Sequence, residues 1–168
     1  GERQQAFNST SERLAELSTQ FSNHVLDATQ GWSLVVHERE RLAGLPQRAL
    51  DILAAAAKEA GDLHADGSEA NGERGPWRLG LDMPRFLPVL THADNRQLRE
   101  TLYRAHVSRA SQGELDNTPL IEEILNLRRE QAIRLGYRHW AELSLAGKMA
   151  EDVDAVAINA ASLRQQAG

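Results

Sequence analysis

The chain has 168 residues, a net charge of −5, no cysteine, few aromatic residues and an apolar fraction dominated by Ala and Leu. That is enough polypeptide for one ordinary domain with a real core, and the composition favours helices over a sandwich or barrel. The missing cysteines exclude a disulfide framework and thiolate metal sites, and the interleaved charges form no basic stripe of the kind a nucleic-acid reader carries.

The clearest periodicity lies in Ser11–Thr29, where Leu14, Leu17, Phe21, Val25 and Ala28 recur at spacings of 3, 4, 4 and 3. These positions fall on one face of a helix, with Ser9, Thr10 or Ser11 available as N-cap. Gly31 breaks the pattern, and Trp32-Ser33-Leu34-Val35-Val36-His37 reads as a short strand. Ala43-Gly44-Leu45-Pro46 is a turn leading into a helix from Pro46 to Ala60, which Gly61 stops. The glycine-rich run Gly61–Gly75 is expected to be an exposed, mobile loop. Trp77-Arg78-Leu79-Gly80-Leu81 then alternates as a half-buried strand does, and could pair antiparallel with Trp32–His37.

Pro84 and Pro88 point to a bend or a single helical turn. Asp94 and Gln97 make a capping-box-like start for a helix carrying Leu98, Leu102 and Ala105, and Gly113 falls in the next break. Thr118-Pro119 opens another helix, with Glu122 and Glu123 expected in its first turn and Gly136-Tyr137 forming a Schellman-type end. A short helix around Trp140–Ala146 follows, then a last one from about Asp152 with Val153, Val156, Ala160 and Leu163 on its buried face. The fold class expected is mainly α, a multi-helix scaffold with a small antiparallel β element. No run of apolar residues approaches the roughly 20 needed to span a bilayer, and no signal peptide is visible at the polar N-terminus.

A zinc peptidase helix needs two histidines at i and i+4, because only then do both imidazoles reach one ion. His24, His64, His92, His106 and His139 have Ala28, Ser68, Arg96, Ala110 and Leu143 at that position. His37 begins His-Glu-Arg-Glu-Arg, and Arg41 stands where the second ligand would be. No Glu-x-x-His pair exists for a ferritin-like di-metal site, Gly31-Trp32-Ser33 lacks the glycine that completes a nucleophile elbow, and no phosphate loop occurs. Arg96, Arg99, Glu100, Arg104 and Arg109 read as local pairs on a solvated helix, Arg96–Glu100 and Glu100–Arg104. Glu122 and Glu123 read as a helix-start feature, and Trp32, Trp77 and Trp140 as packing residues. No catalytic, cofactor-binding or metal-binding residue is assigned.

From Leu81 the chain runs Leu-Asp-Met-Pro-Arg-Phe-Leu-Pro-Val-Leu-Thr-His-Ala-Asp-Asn-Arg. With Leu42-Ala43-Gly44-Leu45-Pro46, Glu122-Glu123-Ile124-Leu125, Leu135-Gly136-Tyr137 and Lys148-Met149-Ala150 in order, it resembles the thimet oligopeptidase/oligopeptidase A family of zinc peptidases. The segment Asp62–Gly75 is the poorest match. The resemblance implies a helical clamshell around a channel for short peptides, with zinc held by His-Glu-x-x-His and a downstream Glu. None of those residues has a counterpart here. Residues 1–168 are thus expected to be a single non-catalytic helical fragment of a larger cytoplasmic peptidase, forming scaffold and channel wall and inactive alone. Its partner would be the catalytic half of the same polypeptide, and zinc and short peptides would belong to the parent. Uncovered apolar faces larger than about 400 Å² would make the isolated chain self-associate. A stand-alone helical module that binds peptides or a protein is the alternative.

Overall fold

The computed structural model describes residues 2–150 and 152–167; Gly1 and Gly168, the ends of the expected fragment, and Glu151 lie outside the described residues. Its helices are α1 (Glu2–Gly31), α2 (Gln47–Ala60), α3 (Met83–His92), α4 (Arg96–Val107), α5 (Thr118–Arg134), α6 (Trp140–Leu145) and α7 (Val153–Ala167). Two strands, β1 (Ser33–Val36) and β2 (Trp77–Gly80), and 3-10 turns at Arg39–Leu42 and Gly113–Leu115 complete the order. The fold is mainly α with a two-stranded antiparallel sheet, as the sequence pattern predicts. Two compact units divide the chain, one of Gly1–Phe21 with Thr118–Gly168 and one of Ser22–Asn117.

In the unit of Ser22–Asn117, β1 and β2 pair with Ser33 opposite Gly80, Leu34 opposite Leu79, Val35 opposite Arg78 and Val36 opposite Trp77. The period of two places Leu34, Val36, Trp77 and Leu79 on the face that meets the core. Against it pack Leu42 and Leu45, then Leu50, Leu53 and Ala54 of α2, Phe86 and Val89 of α3, and Leu98 and Leu102 of α4. The other sheet face is mixed, with Val35 opposite Arg78 and Ser33 opposite Gly80. There Arg78 holds Asp62 through two hydrogen bonds of 2.6 Å and donates to Ser33 Oγ at 2.5 Å. The Asp62 carboxylate raises the Arg78 pKa above its ordinary value.

α2 begins one residue after Pro46, which occupies the N-cap position rather than the first turn. Gly61 ends it in the left-handed conformation, φ +80°, and Asp62 N–H donates to Ala57 O at 2.9 Å. The following segment is less open than the glycine content suggested. Leu63 bridges Glu69, Asn71 bridges Gly75, and Ala70 is buried. Gly44 has φ +89°, and Asp94 N–H donates to Ala43 O at 2.9 Å, which ties this turn to the α3–α4 junction.

Three local expectations in this unit are corrected. Pro84 and Pro88 sit within the ten-residue helix α3: Pro84 lies at the N-terminus where no amide donor is missed, and only Pro88 interrupts the ladder. The cap of α4 is Asn95, not Asp94; its Oδ1 accepts from Leu98 N–H at 3.0 Å. Arg96 does not pair with Glu100, which takes Arg104 instead at 2.8 Å.

In the other unit, the start of α1 is corrected from Ser9–Ser11 to Glu2. Thr10 Oγ1 donates to Ala6 O at 2.9 Å and Ser11 Oγ to Phe7 O at 3.0 Å, so these hydroxyls bond backwards within a helix already under way. Leu17 is fully buried, as are Leu120 and Ala132 of α5 to 9 % exposure or less. Arg13 grips Glu123 at 2.7 and 2.9 Å, and Gln131 Nε2 donates to Ser11 Oγ at 3.1 Å. Glu123 thus stands beyond the first turn of α5, as a partner of α1 and not as a helix-start charge.

α5 closes with a Schellman motif: Tyr137 N–H reaches Ala132 O at 2.9 Å and Gly136 N–H reaches Ile133 O at 3.0 Å, with Gly136 at φ +84°. His139 Nδ1 accepts from Glu142 N–H to cap α6, and the Arg128 guanidinium lies 5.3 Å over Trp140. Asp152 caps α7 by accepting from Ala155 N–H at 2.8 Å. The face expected to be buried on α7 is not: Val156 and Leu163 are 45 % and 58 % exposed, Ala160 is exposed and Val153 half-buried. A helix with an apolar stripe still faces solvent when nothing is packed on that stripe.

Candidate functional site

The six histidines occupy unlike settings. His24 Nδ1 lies 2.9 Å from Asn117 Oδ1, and His139 caps α6. His37 and His92 are exposed. His106 stacks on Phe86 with ring centroids 4.2 Å apart and an interplanar angle of 15°. Its Nε2 is buried without a partner; burial, and secondarily the Arg109 charge, hold its pKa below the ordinary value. His64 Nε2 is also buried without a partner. Next to His37, Arg41 pairs with Glu38 at 3.7 Å.

Among the described residues, no group of three or more His, Cys, Asp or Glu side chains comes together as a metal would require. The donor set here does not fit zinc, and no chemical step is routed through a metal by these residues. Two of the carboxylates are held by arginines. Glu123 is held below its ordinary pKa first by its hydrogen bond with Arg13, and Glu142 below its own first by Arg138.

Three of the four arginines in the run, Arg99, Arg104 and Arg109, are committed to local bonds. Arg99 donates to Ala93 O and Asp94 O, Arg104 to Glu100, and Arg109 to His106 O at 2.8 Å and Thr29 Oγ1 at 3.1 Å.

One surface able to hold another molecule is an apolar depression in the unit of Ser22–Asn117. It has a volume of about 460 Å³ and lies between α2 and α3. Ala49, Ile52, Pro84 and Pro88 line it with Met83 and Leu87, which are 58 % and 56 % exposed; Pro46, Arg48 and His92 complete the lining. It offers shape and apolar area, with no hydroxyl or thiol and with His92 as its one imidazole. Sequence pattern alone did not single it out. The available signal was Met83 and Leu87, four apart on a helix whose next turn, Phe86 and Val89, is buried.

The described residues thus form a mainly helical chain with a small antiparallel sheet. Comparison with known proteins gives it a lineage: residues 89–168 match the family model of Peptidase family M3. The chain is 46% identical over 149 residues to organellar oligopeptidase A (chloroplastic/mitochondrial) of Arabidopsis thaliana, covering 89% of this chain and 18% of that protein. It is 46% identical over 156 residues to oligopeptidase A of Escherichia coli (strain K12), covering 90% and 21%. Dipeptidyl carboxypeptidase of the same organism is more distant, 29% identical over 142 residues, covering 84% and 19%. The chain is thus an oligopeptidase A-like sequence related to peptidase family M3, and it spans about a fifth of the length of the curated relatives it matches. No helix among the described residues is long and apolar enough to cross a membrane.

Proposed function

We propose that residues 1–168 act as a non-catalytic scaffold and channel-wall segment of a zinc metallo-oligopeptidase that degrades short peptides, and that the chain alone is inactive. One observation carries this reading. A sequence 46% identical to oligopeptidase A over 90% of its own length brings together, among its described residues, no set of groups able to bind a metal. The zinc ligands and the general base then belong to polypeptide outside this sequence, and peptide specificity is shared with it. The compartment proposed is the cytosol, in keeping with the relative named probable cytosolic oligopeptidase A.

The exposed apolar residues of α5 and α7, including Ile121, Leu125, Ile158 and Leu163, await cover from that polypeptide. Left bare, they drive the isolated chain to self-associate, most simply as a dimer. A clean monomer by light scattering at high concentration would contradict that part.

The test of the main proposal compares two proteins: the chain itself, and the same chain extended by whatever its gene encodes after Gly168. Both are stripped of metal, replenished with zinc and offered a quenched fluorescent peptide. Turnover by the extended protein alone is expected. Multiple turnovers by residues 1–168, or an extension with no zinc motif, would overturn the proposal. A stand-alone binding module is the second reading, favoured by the α2–α3 depression. Saturable peptide binding by the unextended chain that vanishes in a Leu87→Asp variant would support it.

A further inference from the structure

The segment between α2 and β2 contains the one Asn-Gly pair in the chain, Asn71-Gly72. Its geometry does more than expose it. Asn71 Oδ1 accepts two backbone hydrogen bonds, from Glu73 N–H at 3.1 Å and from Arg74 N–H at 2.9 Å. Two backbone donors on one carbonyl oxygen polarise Cγ, and they remain in place when negative charge develops on that oxygen, as in an oxyanion hole. The adjacent amide nitrogen, that of Gly72, donates to no acceptor among the described residues. It carries no side chain to obstruct its approach to Cγ.

Residue 72 also lies close to α2. A Cβ there would lie 1.9 Å from Asp51 Oδ1 and 2.9 Å from Gln47 Nε2, two groups already hydrogen-bonded to each other at 2.9 Å. Both are the exposed ends of flexible side chains, which could swing aside.

We propose that Asn71 is a site of spontaneous backbone-assisted deamidation. Gly72 N attacks Asn71 Cγ, a new C–N bond closes a five-membered succinimide, and the side-chain amide leaves as ammonia, carrying the proton lost from Gly72 N. Water then opens either ring carbonyl, giving aspartate or isoaspartate at position 71. No oxidant or cofactor is involved.

The isoaspartate product puts an extra methylene into the backbone at the point where Asn71 and Gly75 exchange hydrogen bonds of 3.0 and 2.8 Å. That bridge cannot keep its register. The product also adds a negative charge beside Asp51 and Glu73. Ageing at Asn71 thus opens the end of the segment that leads into β2, and this works as a clock on the loosening of that segment.

The experiment is incubation of the purified chain at mildly alkaline pH and 37 °C, with time points taken for peptide mapping by mass spectrometry. A parallel sample is held in urea, and an Asn71→Gln variant is the control. Conversion at position 71 should outrun that at Asn8, which precedes Ser9, and the folded sample should convert about tenfold faster than the unfolded one, well short of the full worth of an oxyanion-hole donor because the loop is wet. Hydrogen exchange at the Gly75 amide should lose protection in the aged protein and keep it in Asn71→Gln. Conversion in the folded chain no faster than in urea would overturn the proposal, as would an unaltered residue 71.

Discussion

Leu50 tests where the core of the Ser22–Asn117 unit lies. Its side chain is fully buried among Leu53, Trp77, Leu79 and their neighbours. Leu50→Ala removes three carbons' worth of buried apolar group, roughly 2.4 kcal/mol at about 0.8 kcal/mol per methylene. An incompletely collapsed void adds about 1 kcal/mol, at about 24 cal/mol per Å³ over some 40 Å³, giving about 3 kcal/mol in all. With a urea slope of about 2 kcal/mol/M, the midpoint should fall by about 1.5 M with the slope unchanged.

The assay is urea unfolding followed by tryptophan fluorescence in a Trp140→Phe background, so that Trp32 and the buried Trp77 report this unit alone. Leu87→Ala, at a side chain 56 % exposed, is the internal control and should cost under about 1 kcal/mol. Equal losses for the two variants would refute the placement of the core, and so would a loss below about 1 kcal/mol for Leu50→Ala.

Other outcomes follow from single side chains and turns. His106 has a folded-state pKa below its unfolded value of about 6.5, so the unfolded chain binds the proton more readily; stability is full above that pH and declines as pH falls through it. Urea midpoints at pH 7.5 and 5.5 should therefore differ, and the difference should shrink in His106→Phe, which keeps the stack on Phe86. Gly44→Ala would set a Cβ 2.2 Å from the backbone oxygen of His92 at φ +89°, whereas Gly61→Ala meets nothing within 4 Å at φ +80°. Both carry the left-handed penalty of about 1 kcal/mol, and thermal melts should show Gly44→Ala worse by a further 1–2 kcal/mol or so.

Much of this fold is legible in the sequence because short-range signals and burial agree. The alternation at Leu34/Val36 and Trp77/Leu79 fixes both the strands and the face they bury. Gly61 and Gly136 end their helices where a left-handed residue is needed. The misplacements have physical causes of the same kind. A serine or threonine hydroxyl can cap a helix or bond back to the turn before it, and Thr10 and Ser11 do the second. Asp94 and Asn95 are both competent caps, and backbone geometry selects Asn95.

α7 shows the limit of periodicity, which reports an apolar face but not whether this chain supplies its cover. The α2–α3 depression stayed hidden for a related reason, since it joins residues about forty apart in sequence.

Zinc titration of the metal-stripped chain, followed by calorimetry and checked by equilibrium dialysis, tests the central claim most directly. The account predicts no stoichiometric site tighter than about 1 μM, which would correspond to about −8 kcal/mol. One zinc bound per chain at or below that concentration would contradict it.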